Sequence, residues 1–165
     1  MRKCILLAAL LAVLFGLSSC AETKYDAVAL SLGRYDNMEY YTDGGFQDHT
    51  DYAKYTYSSP TLADNKYLVR LDKRRVERLN GYLDDFEKRV DLFREGNPKN
   101  ELAENYDFDR SAIDDGDYYY IGGRYSIDGR YSETLSDIDY NDQSLYDIYF
   151  FDMQTNTLYY FHNNT

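Results

Sequence analysis

The feature that most constrains the fold of this chain is one long apolar stripe between Asp72 and Glu95. Apolar residues recur there at spacings of three and four, which places them on one side of an α-helix. The stripe consists of Val76, Leu79, Tyr82, Leu83, Phe86, Val90 and Phe93. Asp72 suits the N-cap position, and Gly96 followed by Pro98 ends the pattern. We therefore predict one main amphipathic helix with a solvated, mixed-charge opposite face.

Gly81 lies in the middle of this stretch. A glycine in a helix interior costs about 1 kcal/mol relative to alanine. Its presence indicates close packing of the helix against a neighbouring sheet.

The remaining chain consists of shorter runs that are typical of strands separated by turns. Before the helix they cover 28–32, 38–42, 53–57 and 67–71, and after it 118–125, a run from 130 onward, 148–152 and 157–162. Alternation favours a strand in the first run, although its Ala and Leu residues also suit a helix. Asp128-Gly129 and the stretch 153–156 predict two hairpin turns. Residues 99–117 predict a loop with a short helical or extended piece.

Tyrosine is unusually abundant, with 20 Tyr and 8 Phe but no Trp. Tyrosine favours strands, where aromatic pairs across neighbouring strands stabilise the sheet. Its hydroxyl also lets it lie half exposed, so we expect Tyr on both sheet faces. The order of elements along the chain, with strands before and after one main helix, predicts an α+β fold. We expect an antiparallel, Tyr-rich sheet with the main amphipathic helix packed on one face.

The first twenty residues have a different character. Arg2 and Lys3 precede an apolar run from Ile5 to Phe15, which is typical of a secretory leader and too short for a comfortable membrane span. Leu17-Ser18-Ser19-Cys20 then resembles the lipobox of bacterial lipoproteins. That resemblance implies that the Cys20 thiol receives a diacylglycerol and that cleavage makes Cys20 the mature N-terminus. An ordinary signal peptide or an uncleaved anchor is the alternative.

This interpretation divides the chain into three parts. Residues 1–19 are the lipoprotein signal peptide, 20–24 are the lipidated Cys and a short tether, and 25–165 are a single α+β domain that resembles no characterised family. The tether reaches roughly 15 Å when extended, so the domain is expected close to the membrane. Cys4 leaves with the leader and Cys20 is acylated, so the mature domain has no disulfide.

Charge narrows the classes of partner. The leader contains 2 of the 18 basic residues and none of the 29 acidic ones, so residues 20–165 carry 16 basic against 29 acidic side chains, a formal charge of −13. Such a charge argues against nucleic acid, whose binding depends on cationic contacts with phosphate. It also argues against electrostatic attraction to anionic lipid, so attachment to the membrane depends on the acyl chains.

The sequence contains no complete metal-binding motif. Neither His49 nor His162 has another ligand at a metal-binding spacing along the chain. We expect His49 in an exposed polar turn and His162 in a packed or rim position near the end of the last strand. Two EF-hand-like matches, 137–148 and 107–118, fail at the glycine and at the final glutamate. We therefore predict no metal and no cofactor.

No catalytic residue stands out either. The sequence has no serine nucleophile elbow, no thiol beyond Cys4 and Cys20, and no phosphate-binding loop. We expect a non-catalytic binding module for an envelope protein, peptide or glycan, with the tyrosines between Tyr146 and Tyr160 exposed as the contact surface. One alternative is an acidic inhibitor or immunity-type lipoprotein directed against a cationic enzyme or toxin. Another is an envelope hydrolase that uses an unidentified carboxylate pair.

Overall fold

The computed structural model describes residues 26–44, 48–63, 65–123 and 145–164. These residues form a six-stranded antiparallel sheet with helices on both faces, which confirms the predicted α+β class. The helices are α1 (Ala27–Ser31), α2 (Lys73–Gly96) and α3 (Glu101–Asn105), and a 3-10 turn covers Arg110–Ala112. The strands are β1 (Asn37–Gly44), β2 (His49–Thr56), β3 (Val69–Arg70), β4 (Tyr118–Gly123), β5 (Leu145–Asp152) and β6 (Thr157–Asn164).

The strand order is β1-β2-β6-β5-β4-β3, so the C-terminal hairpin lies in the middle of the sheet. The turn predicted at 153–156 is confirmed, and Asn156 adopts a φ of 54°, in the left-handed region. Asp152 fixes this turn because its Oδ1 accepts the backbone N–H groups of Gln154 at 2.7 Å and Thr155 at 3.2 Å. β6 pairs with β2 on one side and with β5 on the other, so it is one of the two middle strands of the sheet.

The predicted main helix is confirmed as α2. Asp72 is its N-cap, with Oδ1 accepting the backbone N–H of Arg75 at 2.9 Å. Gly96 is the last helical residue, and Asn97 takes the C-cap position. The stripe faces the sheet, and its buried members are Leu79, Tyr82, Leu83, Phe86 and Val90.

The interpretation of Gly81 as a close-packing position is wrong. A β-carbon built on Gly81 meets no atom within 4 Å, and the residue is exposed. Gly81→Ala is therefore expected to raise the free energy of unfolding by about 1 kcal/mol through helix propensity alone. Urea unfolding of the leaderless domain measures this change. An unchanged or lower stability would mean that the helix is distorted at this position.

The first predicted strand is also wrong, because residues 27–31 form α1. Asp26 caps the helix, since its Oδ1 accepts the backbone N–H groups of Val28 and Ala29 at 3.0 Å each. The helix buries Val28, Ala29 and Leu32, whereas Leu30 is 45% exposed. The alternating pattern predicted that Leu30 would be buried with Val28 and Leu32. The N-cap at Asp26 instead favours the helix, which was the alternative.

The strand predictions at 38–42 and 53–57 are confirmed as β1 and β2, and the run at 67–71 contains only the short β3. Within 99–117 the short helical piece is α3, followed by the 3-10 turn. Residues 118–123 form β4, which pairs with β5. The predicted turn at Asp128-Gly129 and the strand from 130 lie outside the described residues.

Both faces of the central strands are covered, as two separate aromatic clusters show. On one face α2 and α3 pack over residues such as Tyr52, Ile148 and Phe161. On the other face α1 packs over residues that include Ala53 and Leu158. Tyrosine occurs on both faces, as predicted.

The prediction of an exposed tyrosine surface between Tyr146 and Tyr160 is wrong, since three of its four tyrosines are buried and Tyr159 is half-buried. Tyr146, Tyr149 and Tyr160 are 1%, 8% and 6% exposed, because helices cover both faces of the sheet. Tyr146 donates its hydroxyl to Asp85 at 3.1 Å, and Tyr160 donates to Asp147 at 2.8 Å. A buried hydroxyl needs an acceptor, so part of the acidic composition serves to pair the buried tyrosines.

Candidate functional site

Both histidines of the chain meet at one end of the sheet. The pairing of β2 with β6 sets Asp51 opposite His162, and the pairing of β5 with β6 sets Asp147 opposite the same histidine. His49 is two residues before Asp51 in β2, so the two side chains share a face of the sheet. We call His49, Asp51 and His162 the histidine cluster.

The histidine cluster is compact. The imidazole centroids of His49 and His162 are 4.7 Å apart, and His49 Nε2 lies 3.6 Å from Asp51 Oδ2. One nitrogen or oxygen from each of the three residues lies within 4.8 Å of the other two. Three potential metal ligands therefore converge from two neighbouring strands.

A carboxylate fixes the orientation of the inner imidazole. His162 Nδ1 lies 2.8 Å from Asp147 Oδ1, and the hydroxyl of Tyr160 donates to that oxygen at 2.8 Å. Since a carboxylate only accepts, the proton belongs on Nδ1, and Nε2 of the neutral ring carries the lone pair. Nε2 is buried and has no hydrogen-bond partner among the residues that the structure describes.

The cluster is buried on one side and open on the other. Asp51 is fully buried and His162 is 8% exposed, whereas the side chain of His49 is 25% exposed. Burial, together with a hydrogen bond and charge repulsion from Asp51, raises the pKa of Tyr40. Burial and the charge of Asp147 likewise raise the pKa of Tyr160. Both tyrosines therefore stay neutral donors beside the two carboxylates.

Sequence patterns do not reveal the histidine cluster, because its members are far apart in the chain. His49 begins β2 and does not lie in a turn, so the exposed-turn prediction is wrong, while the packed position of His162 is confirmed. No spacing along the chain could bring the two histidines together; only the pairing of β2 with β6 does. The available signal was His49-Thr50-Asp51, which puts two ligands on one face once residue 49 is taken as part of a strand.

A second notable surface is the outer edge of β1. This strand pairs with β2 over eight consecutive residues without a bulge, and its other edge bonds to no strand among the described residues. Met38 and Tyr40, two residues apart on one face, are 46% and 37% exposed. The strand contains no lysine, proline or bulge of the kind that commonly protects such edges, but it carries Glu39 and Asp43, and α3 contacts it.

The predicted lipidation residue, Cys20, and its tether lie outside the described residues. Among the helices that are described, none combines the length and apolar character that crossing a membrane would require. No family model, curated protein or solved structure matches this chain.

Proposed function

We propose that this protein is a lipid-anchored binding module on the extracytoplasmic side of a bacterial membrane. It binds an extended peptide segment of an envelope protein and catalyses no reaction. The location rests on the leader and on Leu17-Ser18-Ser19-Cys20. The mode of binding rests on one observation, the outer edge of β1, which pairs with no strand among the described residues.

An unpaired strand edge offers a row of backbone N–H and C=O groups to an incoming strand. The eight residues of β1, which pair with β2 in unbroken register, provide a continuous template of this kind. Met38 and Tyr40 supply apolar contact for alternate side chains of the added strand. Backbone pairing of this type tolerates many ligand sequences, and a peptide is therefore the best-fitting ligand.

Attachment close to the membrane strengthens even weak binding. A tether of about five residues keeps the domain within roughly 15 Å of its anchor. Partners in the same envelope layer then meet the edge at a raised effective concentration. Modest affinity for an extended segment is sufficient in that setting.

Met38→Lys tests the proposed edge. An added lysine on an exposed edge disfavours strand pairing, so we expect roughly tenfold weaker capture of peptides from digested envelope proteins. Leu92→Lys is the matched control, because Leu92 is 57% exposed but lies on α2. The leaderless domain is immobilised, and bound peptides are quantified by mass spectrometry at low and high salt. Equal losses from both variants, or none, would contradict the proposal.

The formal charge of −13 on residues 20–165 supports an inhibitor of a cationic enzyme or toxin as a second candidate. The same experiment separates the two functions. Attraction between exposed charges weakens at high salt, whereas strand pairing persists. Capture of an intact basic protein that weakens at high salt and is unchanged by Met38→Lys would favour the inhibitor function. Enzymatic turnover of an envelope polymer that one Asp or Glu substitution abolishes would contradict both proposed functions.

A further inference from the structure

We infer that the histidine cluster binds a divalent transition-metal ion, with Zn²⁺ as the best fit. The ligands are Nε2 of His49, Nε2 of His162 and a carboxylate oxygen of Asp51. Two imidazoles and one carboxylate form a donor set that zinc and related ions use. The inference goes beyond the proposed binding of peptides and depends on other residues.

The surroundings of His162 are those of a metal-binding histidine. Such a histidine commonly donates its second ring N–H to a carboxylate, which fixes the tautomer and makes the ligating nitrogen more basic. Asp147 occupies that place, 2.8 Å from Nδ1, and Tyr160 holds the same carboxylate oxygen in position. The lone pair of Nε2 thus points away from Asp147.

Nε2 of His162 provides an independent indication of a ligand. It is a buried polar atom without a hydrogen-bond partner among the described residues, on a side chain that is 10% exposed. Burying a polar atom without a partner is unfavourable, so such atoms usually have a specific reason. A bond to a metal ion satisfies this nitrogen directly.

The ligand atoms would have to move only slightly closer together to bind the ion. Zinc bonds of about 2.0–2.1 Å place two ligand atoms at most roughly 4 Å apart. One nitrogen or oxygen of each residue of the histidine cluster lies within 4.8 Å of those of the other two. His49 is the most exposed of the three residues, so rotation of its side chain brings Nε2 inward. Three protein ligands then leave a fourth tetrahedral position open toward the solvent.

The donor chemistry also predicts selectivity. Calcium prefers six to eight oxygen ligands. The cluster offers two nitrogen donors and one buried carboxylate, which suits zinc far better. The many exposed acids of the chain would favour calcium or bind no ion specifically, so comparing the two ions distinguishes the cluster from the general acidic surface.

The test uses the full chain, purified in detergent and treated with a chelator. Titration calorimetry with ZnCl₂ is expected to give one site per chain. Zinc at about 100 times its Kd should raise the melting temperature by roughly 5–10 °C. CaCl₂ at the same concentration should leave the melting temperature unchanged.

His49→Gln removes one ligand while keeping a polar side chain at a partly exposed position, and is expected to abolish the zinc-dependent shift. Asp48→Asn is the matched control, since Asp48 is an exposed acid next to His49 but outside the cluster. Asp147→Asn is expected to weaken zinc binding at least about tenfold without removing a ligand. No variant changes a cysteine, so loss of binding in His49→Gln assigns the site to the cluster. No stoichiometric zinc binding, binding that survives His49→Gln, or an equal response to calcium would overturn the inference.

Discussion

Phe86→Ala is expected to lower the free energy of unfolding by about 3–5 kcal/mol, as for other large-to-small changes in a core. Phe86 is fully buried in the middle of α2. Its ring packs against those of Phe161 and Tyr106, with centroids 5.3 Å and 5.6 Å away. The substitution therefore leaves a cavity between the main helix and the central strand.

Lys88→Ala is the matched control, two residues further along the same helix and exposed. Surface substitutions of this kind usually change stability by less than about 0.5 kcal/mol. Urea unfolding of the leaderless domain, followed by circular dichroism, compares the two variants. Similar effects from both would mean that α2 presents a different face to the sheet.

Cys20→Ser is expected to abolish acylation of the protein almost completely. The Cys20 thiol is the proposed acceptor of the diacylglycerol, and a serine hydroxyl is a much weaker nucleophile than a thiol. Cys4→Ser is the matched control, because Cys4 lies in the leader that the lipobox resemblance expects to be removed. Labelling of bacteria that express each variant with a radioactive fatty acid measures the effect. Incorporation of the label into Cys20→Ser at the level of the unchanged protein would contradict lipid anchoring through this residue.

Local signals in the sequence predicted the main elements well. The apolar stripe from Val76 to Phe93 predicted α2 because its spacing of three and four is helical and Asp72 is a suitable N-cap at its start. The C-terminal hairpin was predictable for the same reason, since two aromatic runs flank a polar turn. The prediction for residues 27–31 was wrong because five residues are too few to distinguish an alternating strand pattern from the helix propensity of Ala and Leu. Only the cap at Asp26 distinguishes the two alternatives.

The candidate site was not predictable, because it depends on long-range pairing. His49 and His162 meet only through the sheet order that sets β6 between β2 and β5. Burial was equally hard to read from the sequence. The amphipathic character of Tyr fits an exposed surface or a buried hydroxyl, and the carboxylates of Asp85 and Asp147 made the buried arrangement possible.

The most direct test of the proposed membrane lipoprotein is the mass of its native N-terminus. The protein is extracted from bacterial membranes without an added tag at the leader and analysed by intact and peptide mass spectrometry. We predict a mature chain that begins at Cys20 and carries a diacylglyceryl group on its thiol. A mature chain that begins at any other residue, or an unmodified Cys20, would contradict the account.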